Sequence, residues 1–456
     1  MTSRPPTGLP DAQTFLWGTA TASYQVEGAT TADGRGPSIW DTFAALPGTV
    51  RDGKDGSVAC DSYHRLDEDL ALLDRLGVDA YRFSVAWPRV VPQGVGNVEG
   101  RGLDYYDRVV DGLLERGITP MVTLYHWDLP QALESRGGWL NRDTAEAFAD
   151  YAMVVTERLA DRVGLWATHN EPWCAALLGY AAGVHAPGRT EGTRALVAAH
   201  HLNLGHALAA HRMREAGAGD VGIVHNLNTV WPERPEAADV ADGVDAIRNR
   251  VWIDPLVDGA YDERLRAIAP ELADPDVVRE GDLDLIRGSA DWIGVNYYTP
   301  DRPDVLDEGE VDAGAAAAYP GVEGLTFRPR GPLTDIGWET DDRALTELLV
   351  ATHERTGLPL LVTENGAACV DAVADDCRVD DQDRITYLRD HLAALERARE
   401  QGADVRGYVC WTLLDNFEWA EGYTKTFGLV HIDPETQDRT PKASFDFYAD
   451  HVARHR

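Results

Sequence analysis

The chain has 456 residues, 44% hydrophobic and 26% charged, with a net charge of −34, so it is long enough for one large core or several average domains. That acidity argues against a nucleic-acid or anionic-membrane partner, since both need a basic patch. No apolar run reaches membrane-spanning length, and no apolar stretch follows the N-terminal Met1-Thr2-Ser3-Arg4, so the expected location is cytoplasmic.

Five scattered cysteines without a Cys-x-x-Cys motif suit a reducing compartment. Cys369 and Cys377 flank one loop and form the pair that an oxidising setting would bridge.

In chain order, short apolar strands alternate with longer helical patterns. Strands are predicted at 15–21, 78–86, 119–125, 165–169, 221–226, 292–296, 360–363 and 408–413. Helices are predicted at 62–76, 103–116, 144–162, 193–216, 341–355 and 382–400, the first with an acidic opening turn and a glycine stop at Gly77. Eight such units without a linker predict an α/β fold, a single (β/α)8 TIM barrel over 1–456 with its core at about 13–450. A doubly wound sheet is the main alternative, but the glycine-rich first turn of a dinucleotide site is missing after the first strand. The acidic, Gly/Ala/Pro-rich stretch 301–324 is too long for a plain connector, and as an insertion after the sixth strand it should rim the C-terminal face.

In a barrel, functional groups come from the C-terminal ends of strands. Leu360-Leu361-Val362-Thr363-Glu364-Asn365-Gly366 carries an apolar strand straight into a carboxylate, and Leu165-Trp166-Ala167-Thr168-His169-Asn170-Glu171-Pro172 has the same design. Glutamate at the end of a buried strand is a poor choice unless it is paired or used. Two carboxylates on two strand ends are the minimum equipment for cleaving a glycosidic bond. The other ends supply Gln25, Arg82, His126, Trp127, Asn296, Tyr298, Trp411, Glu418 and Trp419. Amides, carboxylates and imidazole pair with sugar hydroxyls, and tryptophan offers a flat apolar face to a pyranose. Taken alone, His126 reads as a structural histidine, Trp411 or Trp419 as core, and Arg82 as an ion-pair partner. Their recurrence at one end of seven strands favours a site. His200, His201, His206 and His211 lack an accompanying Cys or carboxylate set and read as ordinary helix histidines, with no metal implied.

These motifs, in this order, resemble glycoside hydrolase family 1, the retaining β-glucosidase family, from about residue 15 to 448. The resemblance rests on Phe15-Leu16-Trp17-Gly18, Gln25-Val26-Glu27-Gly28, Tyr81-Arg82-Phe83-Ser84, His126-Trp127-Asp128-Leu129-Pro130, Asn170-Glu171-Pro172, Asn296-Tyr297-Tyr298, Thr363-Glu364-Asn365-Gly366 and the stretch from Trp411 to Trp419. It implies a (β/α)8 barrel with Glu364 as nucleophile and Glu171 as acid/base, the two about 5–5.5 Å apart.

It further implies that Gln25, His126, Trp127, Asn170, Asn296, Tyr298, Trp411, Glu418 and Trp419 hold the non-reducing sugar, with Trp338 under the leaving group. Arg82, Asn170 and Tyr298 would support the catalytic pair. The partners implied are small β-glucosides or short β-linked oligosaccharides, with no metal or organic cofactor; monomer and homo-oligomer both stay open. Thr426, where many members carry Arg, and His431, where Tyr is common, depart from the pattern, as do Cys369 and Cys377. A 6-phospho-β-glycosidase, a transglycosidase and a silent sugar-binding protein are the alternatives; Glu418 would repel a phosphate, and both glutamates are retained.

Overall fold

The computed structural model describes residues 8–12, 14–374 and 378–455. Eight parallel strands close into one barrel. They are β1 (Leu16–Ala20), β2 (Ala80–Ser84), β3 (Thr119–Tyr125), β4 (Leu165–Asn170), β5 (Asp220–His225), β6 (Ile293–Asn296), β7 (Leu360–Asn365) and β8 (Val405–Trp411). Each strand pairs with its sequence neighbour, and β8 closes on β1 with Leu16 opposite Gly407 and Ala20 opposite Trp411. All eight predicted strands exist. The predicted second strand is trimmed at both ends, and the eighth begins earlier, at Val405.

The strands are apolar because helices cover the outside and side chains fill the inside. A small cluster of Met121, Leu165, Ala167, Val224, Trp292 and Leu361 is separate from the large cluster that includes the helix faces. Leu9 and Leu16 pack against the small cluster, and the Leu9 amide donates to Asp220 at 2.7 Å. The helix Leu66–Leu76 shows how local sequence sets an element: Asp67, Glu68 and Asp69 open it, and Gly77 ends it at φ 72°, a left-handed cap that suits glycine.

Register slips occur between Ala167 and Asn170 on β4, between Val295 and Asn296 on β6, and between Tyr408 and Cys410 on β8 where it meets β7. Bulges re-aim side chains, and these lie where the strands deliver Asn170, Asn296 and Glu364. The insertion 301–324 carries a helix, Ala313–Ala318, and its strand Pro303–Val305 pairs with Leu325–Phe327.

Cys60, Cys174 and Cys410 are free thiols, and Cys369 has no disulfide partner among the described residues; Cys377 lies outside them, so its pairing with Cys369 does too. Among the described residues no helix is long and apolar enough to cross a membrane. His200 contacts Tyr261 and Asp282, His201 the Trp139 carbonyl and His206 the Thr168 hydroxyl, so these three serve packing of the helix Ala195–Glu215.

Among the glycines on the barrel strands Gly222 on β5 is the most closely packed, since a Cβ there would lie 2.3 Å from the Trp292 ring. Gly222→Ala is expected to cost about 1–3 kcal/mol through overpacking. Denaturant or thermal unfolding followed by tryptophan fluorescence should show the loss, and wild-type stability would refute the packing assignment.

Candidate active site

Glu171 and Glu364 stand at the ends of β4 and β7 and line one cavity of about 490 Å³. Both are buried, and a chain of hydrogen bonds joins them. Arg82 on β2 donates to Glu364 Oε1 at 2.7 Å and to Asn170 Oδ1 at 2.6 Å. Asn296 on β6 donates to that same Asn170 oxygen at 3.0 Å and to Glu171 Oε1 at 2.8 Å. The Tyr298 hydroxyl donates to Glu364 Oε2 at 2.6 Å, and the Cys174 thiol to Glu171 Oε2 at 3.3 Å.

These partners are unequal, and the inequality sets the protonation state. Burial raises both carboxyl groups. Glu364 has a guanidinium and a phenol holding its ionised form, whereas Glu171 has an amide, a thiol and the repulsion of Glu364. The pair shares its first proton as a unit, and that proton belongs on Glu171. Both Glu171 oxygens accept one bond, Oε1 from Asn296 and Oε2 from the Cys174 thiol, and each keeps a lone pair that can carry the proton.

The Asn170 carboxamide is fixed by its neighbours: its oxygen accepts from Arg82 and Asn296, and its nitrogen donates to His126 Nε2 at 3.0 Å. His126 is held neutral by burial and by the nearby Arg82 charge. Asn170 keeps a second N–H for a ligand. Trp127 anchors the same residue by donating to the Asn170 carbonyl at 2.9 Å. Trp127, Glu171 and Trp419 all hold left-handed backbones, at φ 74°, 46° and 49°. Non-glycine residues adopt this at about 1–3 kcal/mol each, and such positions gather at functional sites.

Trp411 and Trp419 flank His126, with ring centroids 6.0 and 5.9 Å away, and Trp127 lies 4.5 Å from Trp419. Glu418 lines the cavity between them; its Oε2 has no protein partner, and burial with the charges of Glu364 and Glu171 raises its carboxyl. Gln25 is fully buried behind this loop: its amide nitrogen donates to Asn416 Oδ1 at 3.0 Å and to the Phe417 carbonyl at 2.9 Å. Its Oε1 has no protein partner. Trp338 is half-buried beside Tyr298 and Phe427 across the cavity.

Ten of the predicted residues line this cavity; Arg82 and Asn170 join it through the bonds around Glu364 and Asn296, and Gln25 lies outside the lining, bonded to Asn416 and Phe417. Sequence reasoning passed over Cys174, Asn226, Arg248 and Glu421, which also line the cavity. Asn226 had a legible signal, since it follows β5, the one strand whose end was given no role.

Two strand-end carboxylates facing one cavity in a (β/α)8 barrel define a glycoside hydrolase. The chain matches glycosyl hydrolase family 1 over residues 9–456 and belongs to that family. A bifunctional β-D-glucosidase/β-D-fucosidase from Bifidobacterium breve is 48% identical over 455 residues, covering 96% of this chain and 98% of that one. A psychrophilic β-glucosidase from Micrococcus antarcticus superposes with TM-score 0.93 at 46% identity, covering 98% of both chains. A Thermotoga maritima β-glucosidase in complex with deoxynojirimycin gives TM-score 0.90 at 41% identity, covering 97% of this chain and 98% of that one.

Tyr298→Phe removes a donor to ionised Glu364. Losing such a donor disfavours the charged form, so the Glu364 carboxyl must rise. The acid limb of the kcat/KM profile should therefore move to higher pH with the alkaline limb less affected; an unmoved acid limb would refute this role of the hydroxyl.

Proposed function

We propose that this enzyme is a β-glucosidase that releases terminal non-reducing β-D-glucosyl residues with retention, Glu364 acting as nucleophile and Glu171 as general acid/base. The observation that carries the assignment is the asymmetry of the buried pair: Arg82 and Tyr298 both bind Glu364, and neither binds Glu171. Glu364 attacks the anomeric carbon while the Glu171 proton passes to the departing oxygen, giving a covalent glycosyl-enzyme. Glu171, now ionised, takes a proton from water, the water oxygen bonds to the anomeric carbon, and Glu364 departs. The free Asn170 N–H is suited to the sugar 2-hydroxyl, a contact that strengthens in the transition state. Glu418 and Gln25 offer acceptor oxygens to the hydroxyls at the far end of the ring, between the faces of Trp411 and Trp419.

Short β-linked oligosaccharides such as cellobiose are the substrates proposed, in a reducing cytoplasmic setting with which the buried thiols of Cys60, Cys174 and Cys410 agree. β-Fucosidase and β-galactosidase side activities belong to the same reading: the Bifidobacterium breve relative is described as acting on both glucosides and fucosides. Glu418 disfavours a 6-phosphate, because an acceptor carboxylate would face a dianion.

The test is hydrolysis of p-nitrophenyl β-D-glucoside and its 6-phosphate, with product anomers followed by proton NMR. The expected result is β-glucose appearing first from the unphosphorylated substrate; turnover of the phosphate alone, or α-glucose first, would refute the proposal. Glu171→Ala should lose about 10²–10⁴-fold in rate with a poor leaving group, and azide should restore turnover of an activated glucoside. Glu364→Ala should lose more. Wild-type activity in either variant would overturn its role.

A further inference from the structure

The glycosidic oxygen takes its proton from Glu171, so whatever lies beyond that oxygen occupies the Glu171 side of the cavity. This inference rests on the proposed roles of Glu171 and Glu364. The wall there includes Trp173, Cys174, Asn226 and Arg248. Cys174 touches Glu171 Oε2, and the Asn226 amide donates to the Cys174 sulfur at 3.6 Å. Arg248 comes from the short helical segment Ala246–Arg250 after β5 and is only 8% exposed. Its guanidinium lies 3.6 Å from the centroid of the Trp173 ring, and its Nε reaches Asp301 Oδ2 at 3.4 Å. Asp301 and Tyr319, both from the insertion 301–324, hold it in place, the Tyr319 ring standing 5.9 Å away.

Arg248 Nη1 has no hydrogen-bond partner in the protein. Among the described residues lining the cavity, Arg248 supplies the one permanent positive charge, against Glu171, Glu364, Glu418 and Glu421. A buried donor without an acceptor is unfavourable, and a site built around one discriminates against partners that leave it unpaired. An anionic oxygen satisfies it best, through a charge-assisted hydrogen bond. Without this guanidinium, the ionised Glu364 would repel such a group.

The geometry points to Arg248 as a specificity-determining residue that selects leaving groups carrying an ionised carboxylate. Its stack on Trp173 places an aromatic face beside the charge, which suits a carboxylated aryl aglycone.

The test compares 4-carboxyphenyl β-D-glucoside with its methyl ester in wild type, Arg248→Met and Arg248→Lys. Arg248→Met should lower kcat/KM for the carboxylate at least about tenfold, mainly through KM, while the ester changes less than about threefold. Arg248→Lys keeps the charge but loses the planar fork, so it should fold readily and retain part of the preference. Equal losses on carboxylate and ester in both variants would overturn the role of Arg248. Failure of wild type to cleave any of these glucosides would instead overturn the glucosidase reading beneath it.

Discussion

The buried ion pair of Arg82 and Glu364 is the constraint on which the site depends. Both side chains are nearly inaccessible, 1% and 4% exposed, and taking two charges out of water is costly unless every donor is met. Each nitrogen of the Arg82 guanidinium has an acceptor, through four of its five N–H groups. Beyond Glu364 it donates to Thr123 Oγ1, the Thr363 carbonyl and Asn170 Oδ1. One guanidinium therefore ties β2 to β3, β4 and β7, and fixes the nucleophile by the same bonds that keep it ionised. Glu171 then stays protonated because it is buried and, after that, because its ionised neighbour repels a second charge. The acid and the nucleophile are two outcomes of one electrostatic arrangement.

Around that pair, the cavity separates two kinds of chemistry. The side proposed to hold the sugar is aromatic, with Trp127, Trp411 and Trp419 around neutral His126. Left-handed backbones at Trp127, Glu171 and Trp419 are held there by packing and by the Trp127–Asn170 bond. The opposite side is assembled from the crossover after β5 and the insertion 301–324, with Arg248, Asp301 and Tyr319 in contact. Loops of this kind vary more readily than strand ends, so one catalytic pair can serve different aglycones.

What was legible in the sequence follows from this division. Glu364, Asn170 and Glu171 stand out because polar residues at the end of an apolar strand contradict burial unless they are used. The barrel was legible because each strand and its crossover form a local pattern. Arg248 and Cys174 carry no such mark. Arg248 sits in a helical segment whose orientation only packing decides, and Cys174 reads as a small core residue until its thiol is seen against Glu171. Gln25 was read as a sugar contact from its residue type; which of its atoms is open to a ligand was not legible, since its amide nitrogen is committed to Asn416 and Phe417 and its oxygen is the atom without a protein partner. The bulges on β4, β6 and β8 were also beyond reach, since they depend on pairing between strands far apart in the chain.

Those bonds of Gln25 carry a consequence for the chain as it is made. Gln25 follows β1 and the loop it clamps follows β8; the Phe417 amide also donates back to the Gln25 carbonyl at 3.2 Å. A nascent chain paused just past Glu364 already owns both catalytic carboxylates, yet has no seat for a sugar, because Trp411, Glu418 and Trp419 are still untranslated. The pocket comes into being only when the last strand docks against the first.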